Sequence, residues 1–305
     1  MIRFLGLFLL LITALTGQNC AGKSEKAAGS GANTSAIPKL SGPLDFNSYW
    51  NQGKAELSTY EVTQERYGEL RPAEQVNIFV TEDFSREKQV KLDTPDQAGN
   101  DRVPVLKLNS VRRFHTGIYD YSVLQSVFTP IDGSATLKLT CSVQDWCGHV
   151  FTQFNMAKNE YRIRQFSYFE AEGDSDQKLP LVLLEDDLWS HIRLHPDVIR
   201  LGRVQLIPAT LYLRFRHQPF AVHTANLTIE KGERENTLRV VYEDIQRSLS
   251  IRFEPVSPYR ILGWEEMDKG KLMSKGNLKT TRMESYWSEH DIKSDGLRDS
   301  MQVHF

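Results

Sequence analysis

Cysteine is scarce: the chain has three in 305 residues. A globular chain of this size buries roughly three quarters of its unfolded surface and needs neither disulfide nor metal for stability. Excess charge of either sign is also lacking. The 37 Lys and Arg stand against 39 Asp and Glu, a net −2, without the strong positive balance of a nucleic-acid binder. No Gly-x-Ser-x-Gly, no P-loop and no Gly-x-Gly-x-x-Gly following a strand occurs, so the plainest signatures of a serine hydrolase, a nucleotide hydrolase and a dinucleotide-binding domain are missing. After residue 15 no run approaches the ~20 apolar residues of a membrane-spanning helix.

The one long apolar run is N-terminal. Arg3 precedes Phe4–Leu15, and Thr16-Gly17-Gln18-Asn19-Cys20 follows. A run of about 12 apolar residues behind a positive charge has the length of a signal peptide. Its end resembles the lipobox of bacterial lipoproteins, in which cleavage exposes a cysteine for acylation, although Asn19 stands where Gly, Ala or Ser is usual. The resemblance implies a leader over 1–19 and lipidation of Cys20; the competing reading is an ordinary signal peptide with Cys20 incidental. Ala21 rather than Asp after the cysteine implies the outer membrane if the enteric sorting rule applies. Residues 21–42 are rich in Ala, Gly, Ser and Lys and read as a flexible tether between a lipidated Cys20 and a folded body. Cys141 and Cys147 then form an even pair in a compartment that permits disulfides. Two readings stay open for them: a bridge across a hairpin, or two thiols behaving as small apolar residues.

The body, 43–266, reads as one β-rich domain. A short helix is expected over Asp45–Lys54, ended by Gly53. Period-two patterning then marks strands at 60–67, 76–80, 90–92, 103–108 and 119–128. It is clearest where Leu137, Leu139, Cys141 and Val143 alternate with Thr136, Lys138, Thr140 and Ser142, a strand with Cys141 on its buried face. Further strands are expected at 149–154, 161–169, 204–207, 211–216, 221–229, 238–242 and 249–253. One helix interrupts at 184–194, with Leu184, Leu188 and Ile192 on one face, Glu185, Asp186 and Asp187 in its first turn, and Pro196 beyond its end. Residues 267–305 are expected to form a basic loop, containing Lys269, Lys271, Lys275, Lys279 and Arg282, followed by a C-terminal helix. About twelve short strands and little helix predict a mainly β protein: a large curved antiparallel sheet or half-barrel with one or two packed helices.

Constellations that could carry chemistry are few. Trp146-Cys147-Gly148-His149 opens like a thioredoxin motif but lacks the second cysteine, so it reads as a loop. His191 and His195 have zinc-ligand spacing, but no third ligand is evident, and no metal or other cofactor is predicted. Glu185–Asp187 and Glu265-Glu266 could supply paired carboxylates only at a suitable separation, and the first group is explained by helix N-terminal charge; no catalytic residue is assigned. What remains is a sheet rich in aromatics, whose hollow could take an apolar ligand. Its candidate lining is Tyr121, Trp146, His149, Phe166, Tyr168 and Arg214.

The segments YWNQGKAELSTYE, IFVTEDF, QVKLD, VPVLKLN, VQDWCGH, SYFEAEGD and ILGWEE, together with LRDSM near the end, resemble an uncharacterised family of Gram-negative lipoproteins. Members often carry the label septum formation inhibitor Maf. Genuine Maf pyrophosphatases have a Ser-x-Ser-Pro-Arg-Arg loop that does not occur here, so no Maf activity is implied. The expected architecture is also similar in shape to lipoprotein carriers such as LolA. These readings imply a non-enzymatic lipoprotein, held to the periplasmic face of the outer membrane by its N-terminal lipid, that binds a lipid or other apolar envelope ligand. The alternative is a structural or assembly lipoprotein that binds a protein partner; an envelope hydrolase is the weaker third.

Overall fold

The computed structural model describes residues 48–305, all within a single compact unit. The expected leader, Cys20 and the tether lie outside the described residues, as does the start of the helix expected at 45–54, of which 48–51 form a turn.

The protein is mainly β, and among the described residues fifteen strands form a single antiparallel sheet apart from one short parallel edge pairing. The strands are β1 (Ala55–Arg66), β2 (Glu69–Ser85), β3 (Arg102–Thr116), β4 (Tyr119–Pro130), β5 (Lys138–Gln144), β6 (His149–Ala157), β7 (Glu160–Ser167) and β8 (Ser175–Pro180). After a crossover come β9 (Leu183–Leu184), β10 (Gly202–Ile207), β11 (His223–Glu230), β12 (Asn236–Tyr242), β13 (Arg247–Phe253), β14 (Ile261–Asp268) and β15 (Lys271–Glu284). Two meanders are joined where β15 pairs with β1, and β8 and β9 are the free edges. Hairpin register follows the turns: positive φ at Tyr67 and Gly68, and at Gly117, lets β1–β2 and β3–β4 reverse tightly.

The sheet wraps around its own connections. β4 and β12 stand seven places apart in strand order, which in a flat sheet would separate them by roughly 34 Å at ~4.8 Å per strand. Yet one turn, Glu185–Asp187, reaches both. The Thr129 hydroxyl of β4 donates to Asp187, and the Tyr242 hydroxyl of β12 donates to Glu185. That turn leads into α1 (Leu188–Leu194), and after β10 comes α2 (Thr210–Arg216); both helices sit in the concavity. Leu184, Leu188 and Ile192 are buried as their spacing predicts. Each such side chain contributes ~1.5–3 kcal/mol through burial. Among the described residues no helix is long and apolar enough to cross a membrane.

Several elements differ from the sequence reading: 90–92 forms only an isolated bridge of Lys91 to Phe84, and β8 and β14 are strands that the sequence reading does not contain. Residues 211–216 are helix rather than strand. Leu-Tyr-Leu-Arg-Phe-Arg alternates with period two, but α2 is surrounded by the sheet and buries Tyr212, Leu213, Arg214 and Phe215 on several sides, so its polar spacing carries no facial information. The expected basic loop after 267 is β15 from Lys271. Its polar residues, such as Lys275 beside Glu265 of β14, lie on the solvent face. The expected C-terminal helix is one turn, α3 (Leu297–Ser300).

Candidate functional site

Antiparallel pairing puts the β1–β2, β3–β4, β5–β6 and β7–β8 turns at one end of the sheet. Each turn presents a large apolar side chain to solvent: Tyr67 (58 % exposed), Ile118 (85 %), Trp146 (68 %) and Tyr168 (70 %). At the opposite end the exposed turn residues include Arg86, Glu87, Lys88, Lys158, Glu233 and Arg234. That end also exposes Val256 (66 %), and at the first end the β12–β13 and β14–β15 turns expose Glu243, Asp244 and Lys269, so the aromatic rim belongs to the β1–β8 half of the first end.

Packing fixes the aromatic rim from below. The Tyr67 and Tyr121 hydroxyls are 2.7 Å apart, and Arg66 Nε donates to Tyr121 at 3.3 Å. The Arg66 guanidinium lies 4.4 Å from the Tyr67 ring centre and 4.9 Å from that of Phe215, and its Nη1 donates to the Phe215 carbonyl at 3.2 Å. Tyr121 stacks on Phe114, with ring centres 4.8 Å apart. Tyr119 bridges to the rim, 5.9 Å from Tyr121 and 6.5 Å from Trp146. On the far side Arg214 pairs with Glu172 at 2.8 Å and covers the Phe169 ring, while His217 Nδ1 meets the same carboxylate at 2.6 Å. Gly148 leaves room for Tyr168, since a Cβ there would overlap the Tyr168 ring.

Of the six side chains expected to line an apolar hollow, all lie near this end, but they line no common hollow. Tyr121 and Arg214 are buried supports, whereas Trp146, His149, Phe166 and Tyr168 are exposed. His149 Nε2 meets Ser142 Oγ at 2.8 Å, and its carbonyl accepts from the Tyr168 N–H at 3.3 Å. Cys141 and Cys147 are both free thiols. The bridge reading is corrected by the register: Cys141 faces the core opposite Thr152, while Cys147 is exposed in the turn between Gln144 and His149.

The concavity is filled, and a charged network occupies its centre. Glu185, expected in the first turn of a helix, is buried. It accepts from both terminal nitrogens of Arg247 and from Tyr242, and Arg247 also reaches Glu266 at 2.7 Å. Asp186 accepts from the Thr210 N–H at 2.9 Å and its hydroxyl at 2.7 Å. Burial still pushes the Asp186 carboxyl up to about 6. Asp187 meets His191 Nε2 at 2.9 Å. Burial opposes charge on both, but the pairing prevails, lowering Asp187 and raising His191. On the other side of α1, Arg193 pairs with Glu56 of β1, both wholly buried. Sequence reasoning missed this network, although three acidic residues in a row beside an apolar stripe were its visible trace.

The cavity left in this network measures about 60 Å³ and is bordered by Asn77, Arg112, Asp186, Trp189, Trp264 and Glu266, among others. Glu265 and Glu266 point to opposite faces: Glu265 meets Lys275, and Glu266 meets Arg247. His191 faces Asp187, while His195 ends the helix beside Asp197, so the two do not converge. Among the described residues no group of three or more His, Cys, Asp or Glu could hold a metal ion. A larger opening of about 700 Å³ lies at the strands around Glu61, Glu74, Arg113 and His115, bordered also by the terminal residues His304 and Phe305.

No protein-family model matches the chain, and no curated protein matches it. Among solved structures it is similar to a beta-barrel-like protein of the domain of unknown function DUF1849 from Brucella abortus, at 8% identity and a TM-score of 0.49. The likeness covers 75% of this chain and 98% of that one.

Proposed function

We propose that this is a non-enzymatic envelope lipoprotein, held to the periplasmic face of the outer membrane by Cys20, whose body binds lipid through its aromatic rim. The anchor and address rest on Met1–Ala21, and on the resemblance to Gram-negative lipoproteins that Maf-labelled sequences share. The observation that carries the binding reading is the alignment of Tyr67, Ile118, Trp146 and Tyr168, all exposed, on the adjacent turns of the β1–β8 half of the sheet. Isolated exposed apolar residues are ordinary, but a contiguous set that includes Trp and Tyr suits the boundary between acyl chains and head groups. Binding in the hollow itself is disfavoured, because α1 and α2 fill it and leave about 60 Å³ with charged walls.

The filled interior also favours a second reading, in which the same end binds an envelope protein. Vesicle flotation of the body from residue 43, without the acyl anchor, separates the two. Lipid binding predicts flotation with phosphatidylethanolamine–phosphatidylglycerol vesicles. Trp146→Ser and Tyr168→Ser should each weaken it roughly tenfold, the equivalent of ~1.4 kcal/mol of lost apolar burial. A body that stays in the aqueous fraction, with both variants the same, overturns the lipid reading and directs the search to a protein partner.

A further inference from the structure

We propose that the lipid surface accepted by the turns of the β1–β8 half is zwitterionic, with an ammonium group outermost as in phosphatidylethanolamine, and that anionic lipid is disfavoured there. This rests on the lipid-binding reading above and adds the head-group chemistry to it.

Each apolar anchor shares its turn with a carboxylate. Glu69 stands two residues after Tyr67, Asp120 two after Ile118, and Glu170 two after Tyr168, while Asp145 is the immediate neighbour of Trp146. Glu69, Asp120 and Glu170 are exposed, and Asp145 is half-buried. The turns carry no matching cation. Among residues 66–69, 117–120, 145–148 and 168–174 the one Lys or Arg is Arg66. Its side chain is buried, with the guanidinium against the Tyr67 and Phe215 rings.

The fold itself uses only part of this negative charge. Glu172 is held by Arg214 and His217, Glu69 pairs with Arg71, and Asp174 accepts the Ser167 N–H at 3.1 Å. Asp145 Oδ1 accepts from the N–H groups of Cys147 at 2.6 Å and Gly148 at 3.2 Å, which fixes the carboxylate beside Trp146 and leaves Oδ2 open. Among the described residues the side chains of Asp120 and Glu170 enter no hydrogen bond or ion pair. Of the exposed cations on other elements, Arg113 lies 4.9 Å from the Phe305 ring centre, and Lys269 stands on the β14–β15 turn of the other half, whose β12–β13 turn adds Glu243 and Asp244. Aromatic anchors seated at the head-group boundary carry these carboxylates to the same level. An anionic leaflet attracts Lys and Arg, and the same potential repels carboxylates within about one Debye length, ~10 Å at 0.1 M salt. An ammonium head group reverses the sign. It can pair with Asp120, Asp145 or Glu170 and rest against the face of Trp146 or Tyr168.

The test is flotation of the body from residue 43, whose described residues form one compact unit. Phosphatidylethanolamine–phosphatidylcholine vesicles are compared with vesicles in which half of that lipid is replaced by phosphatidylglycerol. At ~0.1 M salt, binding to the anionic vesicles should be about tenfold weaker, and at ~1 M salt, where the Debye length is ~3 Å, the difference should vanish. Asp120→Asn combined with Glu170→Gln removes two charges that make no internal contact, so the far-ultraviolet circular dichroism should not change. The preference should narrow to about threefold. Flotation with both vesicle types, equal or stronger on the anionic one, overturns the head-group assignment and leaves the lipid reading standing. A body that floats with neither overturns both. An undiminished preference in the folded double variant overturns the assignment as well, because these carboxylates would then not be its source.

Discussion

Glu185 and Arg247 form an ion pair in which both side chains are 1% exposed, joining the interior turn to β13. Two charges taken out of water are costly unless each is held by its partner and by further hydrogen bonds. Here Tyr242 and Glu266 complete the set. Burial alone would lower the Arg247 pKa, but the facing carboxylates, Glu185 foremost, raise it. Glu185→Gln should therefore lower stability by about 3–5 kcal/mol, because it leaves Arg247 under-compensated. Replacing both residues, as Glu185→Leu with Arg247→Met, should cost less than the sum of the singles. Urea unfolding of the four proteins checks this, and additive losses would mean that the two residues act independently.

Asp186 gives the network a pH dependence of unusual sign. Its carboxyl is raised from 3.8 to about 6, so the folded state holds the proton more tightly than the unfolded state does. Burial causes the rise, and Glu185 adds to it, against donors from Thr210 and Gln125. Stability from this group is greatest below the unfolded value and falls as pH rises from about 4 through 6, by roughly 3 kcal/mol at 1.36 kcal/mol per unit. Asp186→Asn can still accept from Thr210 and has no proton to release. Its unfolding free energy, measured between pH 4 and 7, should lack the decline shown by the wild type. An identical decline in both would place the titration elsewhere.

Much of this fold was legible in the sequence, and its failures share one cause. The alternation around Leu139, Cys141 and Val143 and the stripe Leu184–Leu188–Ile192 were readable because each element meets the core on one face. Residues 211–216 were misread because α2 is enclosed by the sheet, and enclosure removes the contrast between faces on which periodicity depends. The acidic trio, explained in the sequence by helix N-terminal charge, hides its burial for a related reason. Its partners Thr129, Tyr242 and Arg247 lie on distant strands that only the curvature of the sheet brings together. Trp146, His149, Phe166 and Tyr168 were picked out by residue type, which marked the right end of the sheet but could not separate rim from lining.

The thiols should behave as unlike neighbours. Cys141 is buried, and burial pushes its thiol well above the ordinary range, whereas Cys147 is exposed in its turn. A maleimide should label Cys147 in the folded body and reach Cys141 only after unfolding, so the added mass doubles in denaturant. A folded protein lighter by about two mass units and unlabelled at both positions would mean that the two are bonded after all.

Gly148 links the turn chemistry to the proposed binding surface. A Cβ at this position would overlap not only the end of the Tyr168 ring but also its Cγ and Cβ, so a rotamer change alone gives no relief. The β7–β8 turn must shift, carrying Tyr168 out of line with Trp146. The site is near the surface and far from the buried ion pairs, so Gly148→Ala should leave most of the stability in place, with a loss of about 1–3 kcal/mol of the kind that overpacking causes. Vesicle binding should weaken more than Tyr168→Ser alone would cause if the alignment of the turns matters, because both partners of the turn are displaced. Flotation equal to the wild type, in a variant whose Tm has fallen, would show that Tyr168 is held by packing alone and that the lipid-binding surface does not include it.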